Sequence, residues 1–151
     1  MILIQKSILN LIYNMEEKTI TLVQDSFKKV KPIASTAAEI FYTKLFELDP
    51  KLKPLFPNSE ADMKEQGNKL MTMLGAAVAG LSNLPALIPV LEGLGKRHVD
   101  YKVEASHYDT VGSALLSTLE AGLGEDFTSE VKDAWTTVYT TMAKVMIDAS
   151  Y

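Results

Sequence analysis

His98 and His107 are the only imidazoles in a chain of 151 residues that contains no cysteine. Thiolate metal sites, disulfides and cysteine nucleophiles are therefore excluded, and any metal chemistry must rest on imidazole, carboxylate or phenol. On one unbroken helix the two histidines would lie about 180° apart in azimuth and ~13 Å apart along the axis, too far to share an ion. No carboxylate stands at the helical spacing that would complete a mononuclear zinc or iron site around His98. The pattern leaves two readings for His98, which shares an apolar stripe with Leu94 and Gly95. It is either a core histidine satisfied by a backbone carbonyl or an axial ligand to a flat apolar cofactor that small Gly95 lets come close. His107 lies beside a predicted helix cap, where a solvent-facing role is expected. Gln66 and Tyr42 also sit on apolar faces. A buried amide or phenol needs a partner, so the pair reads either as boundary and core residues or as two donors converging on a polar guest.

The elements that must position these residues are helices. Sustained period-2 alternation and hairpin dipeptides are missing, whereas apolar residues recur at helical spacing along most of the chain. Thr21 with Gln24 is read as a capping box opening a helix through Val23, Phe27 and Val30 that Pro32 ends. A helix over 33–48 carries Ala38, Phe41, Tyr42, Leu45 and Leu48, and Pro50 and Pro54 then permit only a short turn. Ser59 with Asp62 opens a long helix bearing Met63, Gln66, Leu70, Leu74, Ala77 and Leu81. A break is predicted over 83–89, with a helix from Pro89 to about Tyr101. Ser106 with Asp109 caps the next helix, which ends at Gly122–Gly124. Thr128 caps the last, through Val131, Trp135, Val138, Met142 and Val145.

Composition narrows the partners. The net charge of −4 argues against nucleic acid or an anionic membrane. No apolar run is read as reaching the ~20 residues of a membrane span. The opening MILIQKSILNLIYN is apolar but interrupted by Gln5 and Lys6, and it lacks a signal-peptide pattern. It reads as an extra amphipathic turn or as an upstream start ahead of Met15. The cysteine-free composition suits a reducing compartment, and a cytoplasmic location is expected.

Together FYTKLFELDPKLKPLF (41–56), QGNKLMTMLG (66–75), LGKRHVDYKV (94–103), SHYDTVGSALL (106–116) and AWTTVYTTMAKVM (134–146) resemble the globin family in order and spacing. The resemblance is greatest to single-domain bacterial haemoglobins, neuroglobin and the haem domain of flavohaemoglobins. It implies an all-α globin fold of seven to eight helices around one haem pocket. The globin domain would occupy residues 19–151, after an N-terminal extension over 1–18. It also implies haem b (iron protoporphyrin IX) as cofactor, with His98 as the proximal iron ligand and its second ring N–H on an upstream backbone carbonyl. Phe56 and Val103 correspond to haem-packing residues, Gln66 and Leu70 to distal ones, and Tyr42 to a tyrosine entering the same pocket. Lys69, about 60° from Gln66 around its helix, corresponds to a propionate-pairing cation. Tyr108 matches the tyrosine that orients the proximal histidine in flavohaemoglobin-type domains, but the glutamate that completes their triad corresponds here to Ser150. A strong peroxidase activity is not expected. With no histidine at 66, bis-histidine coordination is excluded, leaving water, Tyr42, Lys64 and Lys69 as ferric sixth ligands.

The function so implied is reversible, high-affinity binding of dioxygen, with NO and CO as further ligands. Tyr42 and Gln66 would donate to the negative charge that dioxygen acquires on ferrous iron. The alternative is nitric oxide dioxygenation dependent on an external reductase. A haem-free helical interaction module is the remaining reading, opposed by the joint presence of His98, Phe56, Gln66 and Tyr42.

Overall fold

The computed structural model describes residues 17–151, so the expected extension lies almost wholly outside the described residues. Among these are six α-helices and no strand. They are α1 (Glu17–Val30), α2 (Ala34–Leu48), α3 (Glu60–Gly80), α4 (Leu84–Asp100), α5 (His107–Leu123) and α6 (Ser129–Ser150). Short 3₁₀ turns at Lys31–Ile33, Pro50–Leu55, Leu81–Asn83 and Gly124–Asp126 complete the chain.

Local chemistry explains most of the boundaries. Ser59 Oγ accepts the Asp62 N–H at 3.1 Å and Thr128 Oγ1 accepts the Val131 N–H at 3.2 Å, as their spacing predicts. The Thr21–Gln24 box does not form, because α1 is already helical there. The Gln24 amide instead donates to the Val78 carbonyl at 3.0 Å and to Ser82 Oγ at 2.9 Å, pinning α1 to the end of α3. Ser106 supplies no side-chain cap to α5. His107 Nδ1 takes up the turn by accepting the Glu104 N–H at 3.0 Å. The break expected over 83–89 is shorter than predicted. Pro85 falls in the first turn of α4, where no N–H is needed, and the helix continues through Pro89.

From Leu70 to Leu91 no charged residue occurs, so the apolar run is longer than the composition reading allowed. Among the described residues one stretch, Glu60–Asp100, is long and apolar enough to cross a membrane. The 3₁₀ turn at Leu81–Asn83 divides it into α3 and α4; of its residues Val78, Leu81, Leu87 and Leu91 lie in the protein core, while Val90 is exposed.

The core is built by α4 and α1 lying on α6, and by α2 lying on α5 and α3. Trp135 of α6, fully buried, donates its indole N–H to Ser26 Oγ of α1 at 2.8 Å, and its ring meets Phe27 at 6.3 Å. That bond satisfies a donor whose burial unpaired would cost about 1–3 kcal/mol. Gly95 is where α4 comes closest to α6. A Cβ there would stand 2.6 Å from the Met146 carbonyl oxygen and 2.7 Å from Ser150 Oγ. Its small size therefore serves helix packing and not the close approach of a cofactor, which corrects the expectation. The packing fixes the helix that carries His98 one turn later.

The end of α4 is a Schellman cap. The Val103 N–H donates to the His98 carbonyl at 2.9 Å and the Lys102 N–H to the Val99 carbonyl at 2.9 Å. Lys102 occupies the left-handed position, φ 66°, that glycine adopts without a Cβ penalty. Lys102→Gly should thus raise stability by up to ~1 kcal/mol. A denaturant midpoint equal to or below that of the wild type would contradict this account of the cap.

Candidate functional site

The proximal residues come together through hydrogen bonds. His98, in the last turn of α4, shares a 3.1 Å hydrogen bond between its Nδ1 and the hydroxyl of Tyr108 in the first turn of α5. Their rings are 5.9 Å apart. The second ring proton was expected on an upstream carbonyl. The structure gives Nδ1 the phenol instead, because the Schellman turn returns the chain so that α5 starts beside the imidazole. Burial, with the Arg97 charge beside it, holds the His98 pKa below 6.5. The imidazole is accordingly neutral at pH 7, the form that binds a metal. Burial, with the Tyr151 phenol nearby, pushes Tyr108 up to about 12, so its hydroxyl keeps its proton.

Two further bonds hold this corner, and neither was visible in the sequence. Tyr139 of α6 donates its hydroxyl to the Tyr108 carbonyl at 2.6 Å. Tyr151 donates to the Val103 carbonyl. Val103 is thereby tied at its N–H to α4 and at its C=O to the end of the chain. His107 takes no part in this group. It stays in the 104–107 turn, its Nε2 3.5 Å from a Glu104 carboxylate oxygen.

On the other side, Tyr42 of α2 is 7% exposed and stands at the centre of an aromatic cluster. Its ring lies 5.1 Å from Phe41, 6.0 Å from Phe46 and 5.3 Å from Phe56, edge to face with the first and last. Such geometry suits ring quadrupoles. Burial raises the Tyr42 pKa, and the nearby Gln66 side chain partly offsets the rise. Gly67 makes that approach possible, since its Cα lies so near α2 that a Cβ would meet the Ala38 Cβ at 3.0 Å. The structure therefore brings Tyr42, Gln66 and Phe56 together. Leu70 follows one turn along α3, part-buried, and Lys69 is exposed to solvent.

The residues present fit a haem. Phe56, Leu70, Leu74, Leu94, Val103 and Val111 pack on the core yet remain only part-buried, apolar surface of the kind a flat greasy group would cover. His98 has one nitrogen committed to Tyr108, which leaves Nε2 as the ligating atom. Among the described residues no cluster of three or more histidine, aspartate and glutamate side chains offers an all-protein metal cage. A single neutral imidazole beside part-buried apolar side chains suits an iron whose other ligands come from its own macrocycle.

Helices packed around such an imidazole define an all-α haem-binding fold. A globin family model matches residues 39–146, and the chain belongs to the globin family. It is similar to neuroglobin of Danio rerio, 30% identical over 143 residues that cover 87% of this chain and 90% of that protein. Neuroglobin of Dissostichus mawsoni is 29% identical with the same coverage. A flavohemoprotein of Vibrio cholerae is 27% identical over 134 residues, 89% of this chain but 34% of that protein. The chain thus spans about a third of the flavohemoprotein and nearly all of the neuroglobins. Family membership carries the coarse function, haem-based binding of diatomic gases.

Proposed function

We propose that this protein binds dioxygen reversibly and with high affinity, through a haem b held by His98. When bound, the haem supplies the iron that takes the gas. The chain's own residues do the rest. His98 presents Nε2, Tyr108 fixes the imidazole's tautomer by accepting from Nδ1–H, and the apolar side chains keep water out. The observation that carries the affinity claim is the burial of Tyr42, 7% exposed, against α3 at Gly67, the neighbour of Gln66. Tyr42 and Gln66 both carry hydrogen-bond donors, and in a dry site each is worth about 1–3 kcal/mol toward a partly charged acceptor.

A second reading is favoured by the Tyr108–His98 bond, which raises electron donation from the imidazole. It is nitric oxide dioxygenation, in which NO, dioxygen and one electron become nitrate. The electron would come from a separate reductase, a reading supported by similarity to a flavohemoprotein. NO consumption by the oxygenated protein separates the two. A single stoichiometric turnover, whatever reductase system is present, identifies the gas binder. Sustained consumption that scales with added flavin reductase identifies the enzyme.

A further inference from the structure

We propose that Tyr139 is the positioning residue for the proximal histidine, acting through Tyr108. The functional meaning of this assignment rests on His98 being the haem ligand. The geometry itself is independent of it.

Both ends of the Tyr139 phenol are fixed. Its hydroxyl donates to the Tyr108 carbonyl at 2.6 Å, near the short end of hydroxyl–carbonyl bonds. Its ring lies on Gly112, where a Cβ would come within 2.8 Å of Cε2 and 3.1 Å of Cδ2. Gly112 is one turn after Tyr108 on α5, so the ring and the hydroxyl together clamp the first turn of that helix onto α6. Burial raises the Tyr139 pKa, and the hydroxyl stays protonated as the donor.

The first turn of α5 closes on its own loop, the His107 N–H donating to the Glu104 carbonyl at 3.0 Å and the Tyr108 N–H to the Ala105 carbonyl at 3.2 Å, while Tyr139 supplies the bond to α6. The N-cap residue of α5, Ser106, makes no capping bond, and the turn leading into it contains Lys102 at φ 66°. Tyr108 sits in that first turn, and its hydroxyl reaches His98 Nδ1 at 3.1 Å. A shift of the turn by a few tenths of an ångström would lengthen or break that bond. The same helix, α6, also supplies the surface against which Gly95 sets α4. Helix α6 is thus the common reference for the imidazole and for the phenol that orients it. Tyr139 is the side chain that transmits this reference to Tyr108.

The test compares Tyr139→Phe, which keeps the ring on Gly112, with Tyr108→Phe and Ser26→Ala in the haem-loaded protein. The readout is the ferrous iron–histidine stretching band in resonance Raman spectra. Tyr108→Phe should lower its frequency, and Tyr139→Phe should lower it by a large part of the same shift. Gly112→Ala, which displaces the ring, should move it in the same direction. Ser26→Ala removes the acceptor of Trp135 on the same helix and should reduce thermal stability while leaving the band in place. A wild-type band in Tyr139→Phe overturns the proposal, as does a wild-type band in Tyr108→Phe. If the wild-type chain takes up no haem, the proposed function fails but this assignment stays testable. The ¹⁵N resonance of His98 Nδ1 in the haem-free protein should then move in Tyr139→Phe and stay fixed in Ser26→Ala. An unmoved resonance in Tyr139→Phe refutes it.

Discussion

His98→Ala should abolish stable haem uptake. Added haem should give the wild-type chain an intense Soret band and the variant only the broad, weak absorption of unligated haem. The effect is large because no second imidazole is free to take its place. His107, the only other histidine, is held in its own turn by the Glu104 N–H at 3.0 Å. The part-buried apolar side chains would still favour a greasy ring, but without a ligand they would not fix the iron. Free imidazole should restore the band in His98→Ala, since those side chains and Tyr108 remain. Removing the outer partner should be milder: Tyr108→Phe is expected to weaken iron binding by about 10–100-fold, the usual scale for second-sphere ligand contacts. The pH dependence follows from the lowered His98 pKa. An imidazole whose pKa lies below 6.5 remains neutral further into acid than a free one. Proton competition for Nε2 should therefore begin only below about pH 6.5. Haem loss in the wild type that starts above that value would contradict the burial of His98. A full Soret band in His98→Ala would end the haem assignment altogether.

What could be read from residues alone was whatever depends on neighbours in the chain. The apolar period marks all six helices, and the Ser59 and Thr128 caps were legible because donor and acceptor are three residues apart. The Thr21–Gln24 box failed for the opposite reason, since Gln24 finds better partners at Val78 and Ser82, 54 and 58 residues away. Gly95 shows the same limit. Its smallness was visible, but only tertiary packing tells that it faces the Met146 carbonyl. Tyr42, Gln66 and His98 stood out as polar groups on apolar faces. Tyr139 and Tyr151 did not, because their acceptors are backbone carbonyls 31 and 48 residues away, and a carbonyl has no sequence signature. One cue was available for Tyr139: it falls one turn after Trp135 on α6, beside a face that is otherwise apolar.

Tyr42→Phe should speed dioxygen release by roughly tenfold to a hundredfold, the kinetic equivalent of losing a hydrogen bond worth ~1–3 kcal/mol. The substitution isolates the hydroxyl. Phenylalanine fills the same volume and keeps the edge-to-face contacts with Phe41 at 5.1 Å and Phe56 at 5.3 Å. Burial raises the Tyr42 pKa, so the wild-type hydroxyl stays a neutral donor below about pH 9 and the effect should not vary with pH in that range. Association should change less, because a hydrogen bond made after entry acts mainly on escape. Gln66→Leu tests the partner. Since Gln66 adjoins Gly67, which packs on the Tyr42 ring, the two side chains are neighbours, and their effects on the off-rate should fall short of additive. Stopped-flow dissociation of the two single variants and the double variant measures that coupling. An off-rate in Tyr42→Phe equal to wild type, with a large increase in Gln66→Leu, would reassign the roles. Tyr42 would then be a core aromatic whose hydroxyl serves only to hold the glutamine, and the amide alone would face the bound gas.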